Sequence, residues 1–309
     1  MRGLDVIGDV HGHFDKLVAL LEHLGYSGSE STPYRHANRT AIFVGDLIDR
    51  GPMQLATVNL VRRMVEAGTA RCVMGNHEFN AVSWTLRDPL HPRRFLRPHS
   101  KHSHRKQHHA FLREVEATPR HAEIIAWFRT LPMWLDLGGL RVVHACWHQA
   151  SMDPLHALMG TGARLSDELI VAANLSGHWA HEAVEVVCKG PEIALPDGAA
   201  FTDKDGKIRR RVRVRWWKED VASYRDAAIV PAGDETFIPD LPLPAEWRGH
   251  PYSGPPVLFG HYWFSGKPTV ISPRFACLDY SVAKGGPLVA YRWDGERELR
   301  SEKLAWLQM

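Results

Sequence analysis

Residues Leu4–Gly12 read LDVIGDVHG, and this stretch decides the fold. A short, mostly apolar run ends at Gly8-Asp9, which predicts a buried strand followed by a loop. The next segment, FDKLVALLEHLGY, spaces Phe14, Leu17, Leu20, Leu21 and Leu24 as one face of a helix, with Gly25 as its stop. The pattern then recurs. RTAIFVGDLIDRGP predicts a strand over Ala41–Val44 and a loop at Gly45-Asp46, and MQLATVNLVRRMVEAG predicts a helix ending at Gly68. ARCVMGNHEFN gives a third strand, with Gly75-Asn76-His77 at its end. LRVVHACWH gives a fourth, ending at His144, and PPVLFGHYW a fifth, ending at His261. FACLDYSV and PLVAYRW flank Gly285-Gly286 and predict a closing β-hairpin.

Strand, polar loop and helix in alternation is α/β grammar. In such sheets, sites form beyond the carboxyl ends of the strands. Asp9, His11, Asp46, Asn76, His144 and His261 all stand at those ends. They form an oxygen and nitrogen donor set without a thiolate, which suits Mn²⁺, Fe²⁺ or Zn²⁺. Six ligands are too many for one catalytic ion that keeps open positions, but they suit two. Asp46 has two oxygens and would bridge a pair about 3.5 Å apart. Asp9 and His11 would serve the first ion, and Asn76, His144 and His261 the second. Two ions sharing a water lower its pKa from near 16 toward neutrality, which predicts attack by a bridging hydroxide.

The motifs GDVHG, GDLIDRGP and GNHE, in this order and spacing, resemble those of the calcineurin-like metallophosphoesterases. Within that family they resemble the phosphoprotein phosphatase branch, which includes Ser/Thr phosphatases and bacterial symmetrical diadenosine tetraphosphate hydrolases. The likeness runs over residues 4 to 80. It recurs at His144, at His261 and in LDYSVAKGGPLVAYRW, which is similar to the closing segment of the bacterial members. The resemblance implies a β-sandwich core flanked by helices, two divalent ions with manganese first and iron or zinc next, and the ligand set above. It also implies that His77 protonates the leaving oxygen, that Asp49 orients His77, and that Arg50 binds phosphate oxygens with its forked donors. Two departures stand out: HACW replaces the paired glycines that follow the first late histidine in protein phosphatases, and SPRFACLDY replaces their aromatic-containing loop. Both count against a eukaryotic style of phosphoprotein specificity and neither touches the metal chemistry.

Two regions read as insertions. Residues 88–125 are basic and His-rich; RDPLHPRRFLRPHSKHSHRKQHHAF holds seven Lys or Arg, one Asp and six His. The plain reading is a solvated basic loop, and the functional one is a lid that attracts polyanions. Residues 150–250 read as an inserted cap of two helices, a hairpin and a proline-rich stretch. There DKDGKIRRRVRVRWWKED predicts a turn at Asp205-Gly206 and then a strand. Arg211, Arg213 and Arg215 alternate with Val212, Val214 and Trp216, so one face is cationic and the other apolar. The resemblance implies one phosphate-binding arginine between the two late histidines. Arg211, Arg213, Arg215 and Lys189 are its candidates. His148, His178 and His181 are rival histidines, and His178 and His181 read better as helix-cap or surface residues.

The 309 residues are 44% hydrophobic and 24% charged, with a formal net charge of +3. This composition predicts one domain over 1–309, with insertions, and the mild basic balance suits an anionic phosphorylated substrate: a small molecule, a nucleotide or a phosphoprotein. No basic-then-apolar leader and no membrane-length apolar run is visible, and Cys72, Cys146, Cys188 and Cys277 form no CxxC. A reduced cytoplasmic protein is the expectation. The expected activity is hydrolysis of a phosphate ester or anhydride by a phosphatase of the phosphoprotein phosphatase type. The alternative is a symmetrical dinucleoside polyphosphate hydrolase. A remote third reading is a nucleic-acid-binding module built on the arginine strand and Trp216-Trp217.

Overall fold

The structure is a computed structural model that describes residues 2–29, 31–159, 162–196, 198–202, 206–230, 233–248 and 252–308. The opening motif behaves as its pattern predicts. Strand β1 (Gly3–Ile7) leads through the GDVHG loop into helix α1 (Phe14–His23). Strand β2 (Arg39–Phe43) leads into α2 (Gln54–Glu66), and β3 (Ala70–Cys72) follows. β1 and β2 pair in parallel, as do β2 and β3. On the other side of β1, Val289–Trp293 pairs antiparallel, and Leu304–Trp306 completes this five-stranded sheet.

The second sheet runs in the order Phe275–Cys277, Val257–Phe259, Arg141–Val143, Trp134–Asp136. The central strand Val257–Phe259 is parallel to both of its neighbours. The two sheets stack as a sandwich. Val6, Ile42, Val142, Leu258, Ala276 and Tyr291 share the apolar layer between them. The alternate residues Ile7, Phe43, Val143, Phe259 and Cys277 point outward into a larger core under the helices. These strands are thus buried on both faces, unlike edge strands such as Ala70–Cys72 with its exposed Arg71, which explains why their runs read as nearly continuous apolar stretches.

The hairpin predicted across Gly285-Gly286 does not form. Phe275–Cys277 lies in the second sheet, and Val289–Trp293 lies beside β1 in the first. Each of these strands has two apolar faces, so each takes a place in a different layer and the connection carries the chain between the sheets. Asn76 and His77, read as the end of a strand, open helix α3 (Asn76–Thr85) instead.

The His-rich stretch is folded. It forms a short hairpin, Arg87–Asp88 with His91–Phe95, then helices His102–Gln107, His109–Val115 and Pro119–Phe128. Its hairpin is tied down by a stack in which His99 lies between the rings of Trp84 and Phe95. Farther on, helices Gln149–Met159, Asp167–Ala173 and Trp179–Lys189 pack into the main core. A separate small core, including Ile193, Val212, Val214, Ala228 and Leu243, surrounds the sheet formed by Glu192–Ala194, Arg211–Val214 and Ala228–Ile229. The turn expected at Asp205-Gly206 has its aspartate outside the described residues. Phe201–Thr202 and Ile208–Arg209 pair antiparallel on either side of it.

Candidate active site

The loops after β1 and β2 are tied together by backbone hydrogen bonds. Val10 N and His11 N donate to Asp46 O, Gly12 N donates to Leu47 O, and Gly51 N donates to His11 O. These bonds hold an unusual backbone. His11, Asp46, Asp49, Arg50, His261 and Trp263 have φ of 47°, 51°, 70°, 74°, 74° and 53°. The left-handed region costs a non-glycine residue about 1–2 kcal/mol. Its concentration at the strand ends marks a scaffold that pays for side-chain aim.

Close approach also requires glycine at two points. A Cβ on Gly75 would overlap the Asp46 backbone nitrogen and carboxylate, and one on Gly260 would overlap the Asp9 carboxylate. Glu78, at the start of α3, accepts from three backbone donors: Asp46 N at 2.8 Å, Leu47 N at 2.8 Å and Gly75 N at 3.0 Å. Burial is the largest influence on it and lifts its pKa to about 7. Glu78 closes the GNHE motif, whose metal and proton-transfer roles fall on Asn76 and His77. Its own signal is its place three residues after Gly75, where a carboxylate reaches back to the helix start.

Asp9, His11, Asp46, Asp49, Asn76, His77 and His144 are all at most 5% exposed. Asp46 lies at the centre. His77 N donates to its Oδ1 at 3.0 Å. His144 Nε2 stands 3.4 Å from Oδ1, and His11 Nε2 and His77 Nε2 stand 3.7 and 3.8 Å from Oδ2. Two groups with ligand atoms within 4.8 Å of one another share this carboxylate: His11, Asp46 and His77, and Asp46, His144 and His261. Asn76 joins the second through Oδ1, 3.1 Å from His144 Nε2. Asp9 flanks it and accepts from His261 N at 3.1 and 3.3 Å. The geometry therefore differs from the expected partition in two respects: Asp9 lies beside His261 rather than within the His11 group, and His77, read as a proton donor, stands among the ligand-capable atoms with His11.

The site fits divalent ions on its own chemistry. His11 Nδ1 is 2.9 Å from Ile48 O, and His144 Nδ1 is 2.8 Å from Val44 O. A carbonyl only accepts, so each Nδ1 carries the proton and each Nε2 points inward. Burial alone would lower the pKa of His144, but Asp46 outweighs it and lifts it to about 10, a charge state that a bound cation would reverse. His11 Nε2 is buried without a hydrogen-bond partner. Burial, with the neighbouring His77, pushes the His11 pKa down to about 3, so the ring is neutral as a metal ligand must be. Burial and Asp279 raise Asp9 well above the carboxylate range, which a nearby cation would reverse.

His77 Nδ1 lies 2.5 Å from Asp49 Oδ2. Burial alone would lower the pKa of His77, but Asp46 and Asp49 outweigh it and raise it. Arg50 Nη2 reaches to 3.4 Å from His77 Nε2, and its guanidinium covers the ring of Trp263 at 4.0 Å. Lys284 lies over the same ring at 4.2 Å. Nothing in the motifs marks Trp263; its position two residues after His261 is the only local signal. Asp279 is unmarked too. It accepts from Trp263 N at 2.8 Å and Ser281 N at 2.9 Å, and so fixes the loop after His261.

Among the four basic candidates, Arg213 is brought to the centre, with Nη1 3.1 Å from His261 Nε2 and Nη2 held by Glu192 at 3.0 Å. Arg211 donates to Glu192 O, Arg215 to Asp226 O, and Lys189 to Glu185. The rival histidines are engaged elsewhere. His148 bonds Ser151, His178 caps Trp179–Lys189 by accepting from Ala180 N, and His181 bonds Ala173 O. The aromatic half of the nucleic-acid reading fails. Trp217 is buried against Phe259 and Tyr262, and the half-buried Trp216 packs on Phe259 and Phe275 and donates to Ala145 O and Tyr262 Oη, so the pair belongs to the packed core rather than to an open stacking surface.

An asymmetrical bis(5'-nucleosyl)-tetraphosphatase PrpE of Bacillus velezensis is 42% identical over 73 residues, 24% of this chain and 29% of that relative. The match thus spans under a third of the relative's length. A symmetrical bis(5'-nucleosyl)-tetraphosphatase of Aromatoleum aromaticum is 26% identical over 298 residues, 94% of this chain and 93% of that one. A cold-active protein-tyrosine phosphatase structure from a psychrophilic Shewanella is 16% identical, with a TM-score of 0.47 over 96% of this chain and 80% of that one. The calcineurin-like phosphoesterase profile matches residues 4–195, more than half of the sequence, and with the motifs gathered around Asp46 it establishes that this chain belongs to that family.

Proposed function

We propose that this protein hydrolyses phosphoric esters or anhydrides at a dinuclear site held by Asp9, His11, Asp46, Asn76, His144 and His261. Manganese is the first choice of ion and iron or zinc the alternatives. The observation that carries this reading is the sharing of one carboxylate, Asp46, by two groups of ligand atoms. Divalent ions bound there would supply Lewis acidity toward a phosphoryl oxygen and toward water.

The residues divide the remaining work. Arg50 and Arg213 bring forked donors to the phosphoryl oxygens from opposite sides, at His77 and at His261. Asp49 accepts a hydrogen bond from His77 Nδ1, which keeps its own proton, and this leaves Nε2 facing the reacting group. His77 then delivers its Nε2 proton to the departing oxygen, a transfer worth about 10²–10⁴-fold. We read residues 1–309 as one working unit in which the stretch 150–250 caps the site and supplies Arg213.

For the substrate we favour a nucleotide anhydride, such as a dinucleoside polyphosphate, over a phosphoprotein. The names of the relatives support it, as does Trp263 carrying two cations, Arg50 and Lys284, at the rim. The two cations held over one ring present positive charge at the edge of the site, which suits a polyanion. The buried, free thiols Cys72, Cys146, Cys188 and Cys277 suit a reducing, cytoplasmic setting. Among the described residues no helix is long and apolar enough to cross a membrane.

The test is a panel of p-nitrophenyl phosphate, a phosphopeptide and diadenosine tetraphosphate, assayed with each metal. Turnover of the tetraphosphate is expected to lead, and to vanish in Asp9→Asn and His77→Ala. No hydrolysis of any member with manganese, iron or zinc would overturn the assignment. Preference for the phosphopeptide would restore the protein phosphatase reading.

A further inference from the structure

Asp49 serves two histidines. Its Oδ2 takes His77 Nδ1 at 2.5 Å, and both oxygens lie within reach of His108 Nδ1, at 2.9 and 3.1 Å. His108 belongs to the His-rich insertion, sits between helices His102–Gln107 and His109–Val115, and is buried. An ionised carboxylate only accepts, so His108 donates. Burial would raise the Asp49 pKa, but the bonds from His108 and His77 outweigh it and hold Asp49 well below the usual carboxylate range.

The same insertion grips the same loop a second time. Glu114, on helix His109–Val115, accepts from Gln54 N at 2.9 Å and Leu55 N at 2.8 Å at the start of α2. Gln54 in turn accepts from Asp49 N and donates to Gly51 O, both at 2.6 Å. The segment from Asp49 to Leu55, which carries Arg50, is therefore held by the insertion at its carboxylate and at the helix start.

We propose that His108 is a positioning residue for the reaction: by donating to Asp49 it fixes the carboxylate that aims the His77 ring at the departing oxygen. The role of the His-rich insertion is then to brace the proton donor rather than to cover the site as a loose lid. This rests on the reading of His77 as proton donor.

The readout is leaving-group dependence. Proton delivery matters more as the departing oxygen becomes more basic, so phenyl phosphate demands more from His77 than p-nitrophenyl phosphate does. His108→Phe keeps a ring and removes the donor. It is expected to lower kcat on phenyl phosphate about 10- to 100-fold, the size seen for outer partners of functional histidines. The loss on p-nitrophenyl phosphate is expected to be smaller, with KM nearly unchanged on both. His108→Asn, whose amide nitrogen reaches the place of Nδ1, is expected to keep the rate. A folded phenylalanine variant that matches the wild type, or that loses the same factor on both esters, overturns the proposal. Should that variant not fold, His108→Asn and His108→Gln carry the test, since the glutamine amide reaches the place of Nε2 instead. Retention in the first and loss in the second supports the role, and equal rates overturn it. A wild-type chain without turnover would sink the functional reading itself; turnover indifferent to His108 sinks only this proposal.

Discussion

The backbone N–H of His261 donates to the carboxylate of Asp9, at 3.1 Å to Oδ2 and 3.3 Å to Oδ1, across 252 residues of chain. This bond joins the two sheets at their carboxyl ends. Asp9 follows β1 in the first sheet, and His261 follows Val257–Phe259 in the second. The site is therefore a seam of the sandwich, and its geometry depends on how the layers stack.

Asp46 stands at the centre of that seam, so removing its charge should strip both ions at once. Asp46→Asn is expected to lower bound metal from two equivalents toward none and to reduce turnover by at least about 10³-fold, since each ion is worth several kcal/mol to the transition state. Metal analysis of the dialysed variant beside steady-state kinetics checks this. A variant that retains both equivalents would show that Asp46 is no bridge.

The four basic candidates should separate sharply. Arg213→Ala removes the guanidinium beside His261 and is expected to cost about 10- to 100-fold in kcat/KM, whereas Arg211→Ala and Arg215→Ala should stay within about threefold of wild type. Lys189→Ala is expected to behave like the latter two, because its ammonium already pairs with Glu185. Equal rates in all four variants would remove the second phosphate clamp.

Stability has a separate hinge far from the chemistry. Asp5, fully buried on β1, accepts from Arg39 at 2.9 and 3.0 Å, from Arg292 at 3.1 Å and from Tyr26 at 3.0 Å. Arg39→Ala leaves two partners on a buried carboxylate. The loss should be about 2–3 kcal/mol of unfolding free energy, below the roughly 3–5 expected when a buried charge is left with none. Denaturant unfolding measures it, and a loss under about 0.5 kcal/mol would contradict the network.

Arg39 also reaches Asp294, which Lys303 holds as well. The hydrogen bonds from Lys303 and then Arg39 lower the Asp294 pKa. A carboxylate with a depressed folded pKa stabilises the fold above its unfolded value, about 3.9, and loses that contribution as pH falls through the folded one. The melting temperature of the wild type should exceed that of Asp294→Asn at pH 7, with the gap shrinking as the pH falls below the unfolded value of about 3.9. Because Asp294 is nearly half exposed, the gap should be small. A gap that widens in acid would refute the sign.

Much of this was legible in one dimension, for a local reason. A strand that ends in glycine and a short polar residue, followed by a helix, writes its own loop, so Asp9, His11, Asp46, Asn76 and His77 announce themselves within short motifs. The helical face of Phe14–His23 and the two-sided strands follow from periodicity in the same way. Long-range partners leave no such trace. His108 looks like any histidine in a basic tract, Glu78 like a helix-start acid, and Arg213 like one of three alternating arginines.

Local order along the chain already dictates the alternating strands and helices, the donor types and their place at strand ends, because those depend on neighbours a few residues apart. Packing in three dimensions selects which sheet takes Phe275–Cys277 and Val289–Trp293, which arginine meets His261, and which histidine stands behind Asp49. Those choices turn on the stacking of two sheets and the docking of an insertion. Burying both faces of such strands leaves few arrangements, but no single segment records which one is adopted.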